Sequence, residues 1–308
     1  MRFATDMLFI RIFIGCLLLI GGLGDAIRGI SQVQHLGDPL VFPLDKLNQC
    51  GKVKSLGIHP SGKFLIVSSL RADVPWVGEK DKVPNLWMVP LPVGADSTWA
   101  VLPYGICSEA AELYPSWDKK GRHLYFLSWG LLWESTGGPI YRVRKGEKDW
   151  KQVKGLGGGI TRFCQEEALE ILDCSISPDA QECFITAQTP EAPKGDFFRA
   201  EKGLLGWKRP ERMAISSLGA DISLSTTLDG RRLYLASNRY EGAGKGDIYR
   251  LPVLPDGAIG PMEPLGDLVN TVADEHHFVE APDGKHGYFI REGKVWCLCF
   301  DGCAGKKI

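Results

Sequence analysis

One short pattern recurs five times along the 308-residue chain and constrains its fold more than any other feature. A tight turn leads at once into an apolar, β-branched or aromatic run. The copies are HPSGKFLIVSS (His59 to Ser69), DKKGRHLYFLS (Asp118 to Ser128), SPDAQECFITA (Ser177 to Ala187), TLDGRRLYLAS (Thr227 to Ser237) and APDGKHGYFIR (Ala281 to Arg291). The turns centre on Gly62, Gly121, Ala180, Gly230 and Gly284, separated by 59, 59, 50 and 54 residues. Glycine suits them because it reaches positive φ without a Cβ clash. The run that follows favours a strand.

An aromatic strand follows each turn: NLWMVPL (Asn85 to Leu91), PIYRVRK (Pro139 to Lys145), DFFRAEK (Asp196 to Lys202), DIYRLPV (Asp247 to Val253) and KVWCLCF (Lys294 to Phe300). Trp87, Tyr141, Phe198, Tyr249 and Trp296 occupy the same place in it. Weaker tails such as GWKRPERM (Gly206 to Met213) add a short outer strand. Four short antiparallel strands repeated radially predict an all-β propeller. A β-sandwich would not explain the period. The period predicts five blades, with six the runner-up. The last unit stops after its third strand, and Pro39 to Gln49 has no blade of its own. That N-terminal segment is expected to supply the missing outer strand and close the ring. Ala180, in place of a turn glycine, predicts a distorted third turn. Gly155 to Gly159 lacks a phosphate-loop Lys-Ser/Thr and reads as a plain link between blades.

Residues 1–26 differ from the rest. Arg2 and Arg11 precede the apolar run Ile12 to Ile20, and Gly21, Gly22, Gly24 and Ala26 follow. This is the order of a secretory signal peptide, with an uncleaved N-terminal anchor as the alternative. The propeller then occupies residues 27–308, in a periplasmic, cell-envelope or secreted setting. Eight of nine cysteines follow this segment. Closure would bring Cys50 near Cys297, Cys299 and Cys303, either as a disulfide stapling the seam or as buried thiols. Lys and Arg number 36 against 37 Asp and Glu, with no basic stripe, which argues against nucleic acid as a partner.

The fourth and fifth units carry DGRRLYLASNR, GKGDIYR, VNTVADEHHF and APDGKHGYF between Asp229 and Arg291. These resemble the TolB-like, WD-like propeller repeat of TolB proteins and of the propeller part of OmpA-type peptidoglycan-associated proteins. The match is weaker in the first and third units. The resemblance implies an exported propeller serving as a protein-interaction module at the envelope. It transfers no particular partner, because fold does not fix function.

Candidate chemistry sits nine residues before the turns, where an inner strand would begin: Glu112, Asp221 and Glu275, with Ile171 and Val53 in the remaining units. A ring of carboxylates at a channel mouth could bind a polar ligand or a glycan. It could also serve a hydrolase acting on glycans or small molecules as an acid/base pair. The architectural reading is that each acid binds backbone amides and fixes its own strand. His276 joins this mouth as a candidate ligand residue. His276 and His277 should point to opposite faces of a strand, so a shared metal is not expected. The sequence shows no nucleophile elbow, zinc-protease spacing or cofactor motif. The expectation is a binding module with an envelope or extracellular protein partner and without a cofactor. Trp129 to Trp133 offers an aromatic recognition loop.

Overall fold

The computed structural model describes residues 38–49, 51–70, 83–93, 97–130, 132–147, 149–239 and 242–302. Contacts divide the chain into residues 1–37 and a unit spanning Asp38–Ile308. Residues 1–26, expected to form a signal peptide, and Cys50 and Cys303 lie outside the described residues.

The second unit is a five-bladed propeller. After β1 (Leu40–Pro43), the first blade holds β2 (Val53–Ile58), β3 (Phe64–Ser69), β4 (Asn85–Pro90) and β5 (Ala100–Val101). The second holds β6 (Glu112–Trp117), β7 (His123–Ser128), β8 (Ile140–Arg144) and β9 (Lys154–Gly155). The third holds β10 (Glu170–Ile176), β11 (Glu182–Gln188), β12 (Asp196–Gly203), β13 (Gly206–Trp207) and β14 (Glu211–Arg212). The fourth holds β15 (Asp221–Thr226), β16 (Arg232–Ser237), β17 (Asp247–Pro252) and β18 (Glu263–Pro264). The fifth holds β19 (Glu275–Glu280), β20 (His286–Arg291) and β21 (Lys294–Cys299), with β1 as its outer strand. The inner strands β2, β6, β10, β15 and β19 each meet the next, and β19 meets β2 to complete the ring.

The middle strands are buried on both faces, which explains their unbroken apolar runs. The core is five seams, one between each pair of neighbouring blades. Ile66, Leu86 and Leu102 of the first blade pack on Trp117, Leu124 and Phe126 of the second. Tyr234 and Ile248 of the fourth pack on Phe278 and Phe289 of the fifth. A blade alone exposes both faces, so the repeats stand only as a closed set.

Closure runs through the N-terminal segment, as expected. Leu40 to Pro43 pair with Cys299 to Trp296 in antiparallel register. The short helix α1 (Asp45–Asn48) follows. The Asn48 side chain donates to the Val295 carbonyl at 3.0 Å and accepts from its N–H at 2.7 Å. The same device recurs at the second residue of other third strands: Asn270 clamps Ile248, Ser216 clamps Phe197 and Cys107 clamps Leu86. A side chain thus satisfies backbone groups where the short outer strand has ended. At the seam, Cys297 is a buried free thiol, whereas Cys299 is not a free thiol.

One local expectation needs correction. The third turn is not distorted: Ala180 sits at φ 57°, beside 61° at Gly121 and 71° at Gly230. Its N–H reaches the Ser177 carbonyl at 2.8 Å, as Gly121 reaches Asp118 at 2.8 Å. Around it, Asp179 accepts from Ser177 Oγ and the Gln181 N–H, which holds the turn shut. The glycine run does link the second and third blades, as expected, and it also opens a helix. Gly158 opens α3 (Gly158–Glu166) after a short α2 (Trp133–Thr136) earlier in the chain. A Cβ on Gly159 would lie 2.2 Å from the Arg209 backbone nitrogen, so the helix needs glycine to approach the third blade. It buries Ile160 and Phe163 in the seam between the second and third blades.

Candidate functional site

Equivalent positions meet across the seams, so all inner strands start at one end of the ring. The Tyr114 N–H donates to Ser55 Oγ at 2.8 Å, and the His277 N–H donates to Ser223 Oγ at 2.9 Å. The starting end carries the loops that join blades, and the five turns lie at the other. We refer to these as the loop face and the turn face.

Glu112, Asp221 and Glu275 lie at the loop-face start of their strands, fully buried. Each is held within its own blade by the same latch. Glu112 accepts from the Ser108 N–H at 3.1 Å, Ser108 Oγ at 2.6 Å and Ser128 Oγ at 3.0 Å. Asp221 accepts from the Ser217 N–H at 2.8 Å and from the Ser217, Ser237 and Arg239 side chains. Glu275 accepts from the Thr271 N–H at 3.1 Å, Thr271 Oγ1 at 2.6 Å and Arg291 Nε at 2.7 Å. Both oxygens of every carboxylate are engaged, which favours the architectural reading. Glu112 alone lacks an arginine partner, and burial pushes its carboxyl up to about 7 against the pull of the serines. The readable signal was a Ser or Thr four residues before each acid. Val53 and Ile171, the two apolar positions, have Gln49 and Glu167 there instead.

The channel itself is lined by residues seven before each turn: Ser55, Tyr114, Asp173, Ser223 and His277. Sequence reasoning missed this ring. All five inner strands break register here. Such a bulge re-aims a side chain. Tyr114 and His277 both take positive φ, 56° and 54°, and their rings stack across the channel. His277 Nε2 stands 3.5 Å from Asp173 Oδ1 and makes no hydrogen bond. Both side chains are over nine-tenths buried. On the turn side of this ring, a cavity of about 70 Å³ is rimmed by residues of all five blades. That is room for a few waters.

The bulge also corrects the expectation that adjacent histidines point apart. His276 Nδ1 and His277 Nδ1 lie 2.5 Å from each other, a short hydrogen bond. Among the described residues no group of three or more His, Cys, Asp or Glu side chains could hold a metal. His276 lines a loop-face cavity of about 420 Å³ between the fifth and first blades, together with Lys52, Lys54, Lys245, Asp274 and Glu292. Burial, His277 and the Lys54 and Lys52 ammonium groups hold His276 well below the usual histidine range. Burial and the neighbouring Glu275 push Asp274 up.

No protein-family model and no curated protein matches the sequence. Among solved structures, the chain is similar to TolB from Acinetobacter baumannii, at 15% identity and a TM-score of 0.48, over 81% of this chain and 54% of that one. It therefore spans about half the length of the TolB chain. It is also similar to a gluconolactonase from Xanthomonas campestris, at 13% identity and a TM-score of 0.49, over 88% of this chain and 92% of that one. The chain's own sheet topology makes it a five-bladed β-propeller, the fold that its TolB-like turns and third strands imply.

Proposed function

We propose that this protein is an exported binding module that presents its loop face to a protein partner at the envelope or outside the cell. One observation carries the reading. Trp129, Leu132, Leu169, Leu218, Leu268 and Val272 are exposed, and all lie in loop-face segments of four successive units. The turn face exposes Leu204 and Leu205 together at one hairpin tip, Leu254 at another and Leu40 at the start of β1. Apolar groups spread over one face mark an interaction surface more than single exposed leucines do. Export rests on the order of residues 1–26, and the three latched acids leave the carboxylate-based hydrolase without an unengaged acid/base pair.

The test is capture of partners from the native envelope with the full chain. A stoichiometric protein should copurify, be lost with the pair Leu132→Ser and Leu218→Ser, and be kept with Leu204→Ser and Leu205→Ser. Loss with the turn-face pair instead, or no stoichiometric protein at all, would overturn the reading.

A further inference from the structure

The cavity beside His276 carries charged groups that the partner-binding reading does not use. Three lysines enter it, and none of them forms an ion pair among the described residues. Facing them are three groups able to accept a proton: His276, Asp274 and Glu292. Cations alone would suit any anion. Cations mixed with acceptors suit an anion that also carries hydrogen.

Behind His276 the channel ring bears on which of its nitrogens carries the proton. Asp173 Oδ2 accepts the Leu224 N–H at 2.9 Å, which anchors the carboxylate. Its Oδ1 lies opposite His277 Nε2 and favours the proton on that nitrogen. His277 Nδ1 then accepts from His276 Nδ1. His276 Nε2 is left as a lone-pair acceptor with no hydrogen-bond partner among the described residues. Two buried groups of the channel ring, Asp173 and His277, thereby set the polarity of a third at a cavity wall.

We propose that the Asp173–His277–His276 chain makes this cavity a site for a small oxyanion bearing a hydroxyl, held by Lys52, Lys54 and Lys245 and donating to His276 Nε2. Hydrogen phosphate is the minimal probe. Sulfate has the same shape but carries no proton near neutral pH, so its oxygens meet the His276 lone pair. Asp173 and His277 are positioning residues here, acting through His276. The site shares Val272 with the proposed partner surface, so its test uses the ions alone.

Calorimetric titration of the full chain at pH 7.5 with sodium phosphate and with sodium sulfate tests this. Phosphate should bind at least tenfold tighter. Lys54→Gln should weaken both ions. His276→Ala should bring the two affinities together, and Asp173→Asn should do the same while keeping the oxygen that accepts from Leu224. A purely structural role for Asp173 would leave the ratio unchanged in a folded variant. Equal binding of both ions by the wild type, or binding of neither, would overturn the proposal. So would a ratio unmoved by Asp173→Asn, which tests the chain should His276→Ala fail to fold.

Discussion

Tyr114 and His277 stack across the centre of the ring, with centroids 5.5 Å apart and planes 5° from parallel. They come from the second and fifth blades, which are not neighbours, so this contact spans the channel. Both are bulged residues at the same repeat position, and both backbones accept the left-handed conformation for it. The ring contact, rather than the hydroxyl, is what closes the channel. Tyr114→Phe should therefore change stability by less than about 1 kcal/mol, whereas Tyr114→Ala should cost about 3 kcal/mol through lost packing. Chemical denaturation of both variants checks this. A larger loss for Tyr114→Phe would show that the hydroxyl carries the contact.

Glu112 gives the protein a pH dependence of unusual sign. Its folded-state pKa of about 7 lies above the ordinary 4.5, so the folded state holds its proton more tightly than the unfolded chain. Its contribution is complete below about pH 4.5 and is lost as pH rises through 7. The shift corresponds to about 3 kcal/mol at most. Glu112→Gln removes this group's titration. The stability difference between wild type and Glu112→Gln should move against the wild type between pH 5 and 8. A difference that is flat over that range would mean the latch holds an ionised carboxylate at little cost.

Ala180 occupies a left-handed turn position that disfavours a Cβ by about 1–2 kcal/mol. Part of the gain from glycine is offset by its looser unfolded chain. Ala180→Gly should stabilise the protein by about 0.5–1 kcal/mol. Gly230→Ala should lose a similar amount, because a Cβ there meets nothing within 4 Å. Gly121→Ala should lose more, since its Cβ would come 2.4 Å from His59 Nε2. Melting temperatures of the three variants should fall in that order.

Much of the architecture was legible because the turn sets the phase of everything else. The five turns, the third strands and the closing role of Pro39 to Gln49 all follow from counting along the repeat. The channel ring was not legible for two reasons. Apart from Ser55 and Ser223 its members differ in chemistry from blade to blade, so no one residue type marks position seven before the turn. A bulge then decides where each side chain aims, and simple strand alternation sends His276 and His277 to opposite faces. The clamp residues Asn48, Cys107, Ser216 and Asn270 were hidden for a related reason. They share a hydrogen-bonding task, but only Asn48 and Asn270 share a residue type.

Asn48 offers the most direct test of closure. Its amide meets both backbone groups of Val295, and Leu44 N–H reaches the same carbonyl at 3.0 Å. Removing the amide leaves the Val295 N–H without its acceptor. Asn48→Ala should cost about 2 kcal/mol. Asn48→Asp keeps the acceptor but loses the donor, so it should cost less at low pH, where a protonated carboxyl can do both. Asn270→Ala removes the same clamp inside the fourth blade and should cost a similar amount. The two sites differ in what opens. At Asn48 the affected pair is the one holding the first and last parts of the chain together. Asn48→Ala should speed hydrogen exchange of Leu40 to Pro43 and of β21 ahead of the other blades, whereas Asn270→Ala should speed it in the fourth blade. Uniform acceleration in both variants would show that the ring opens only as a whole.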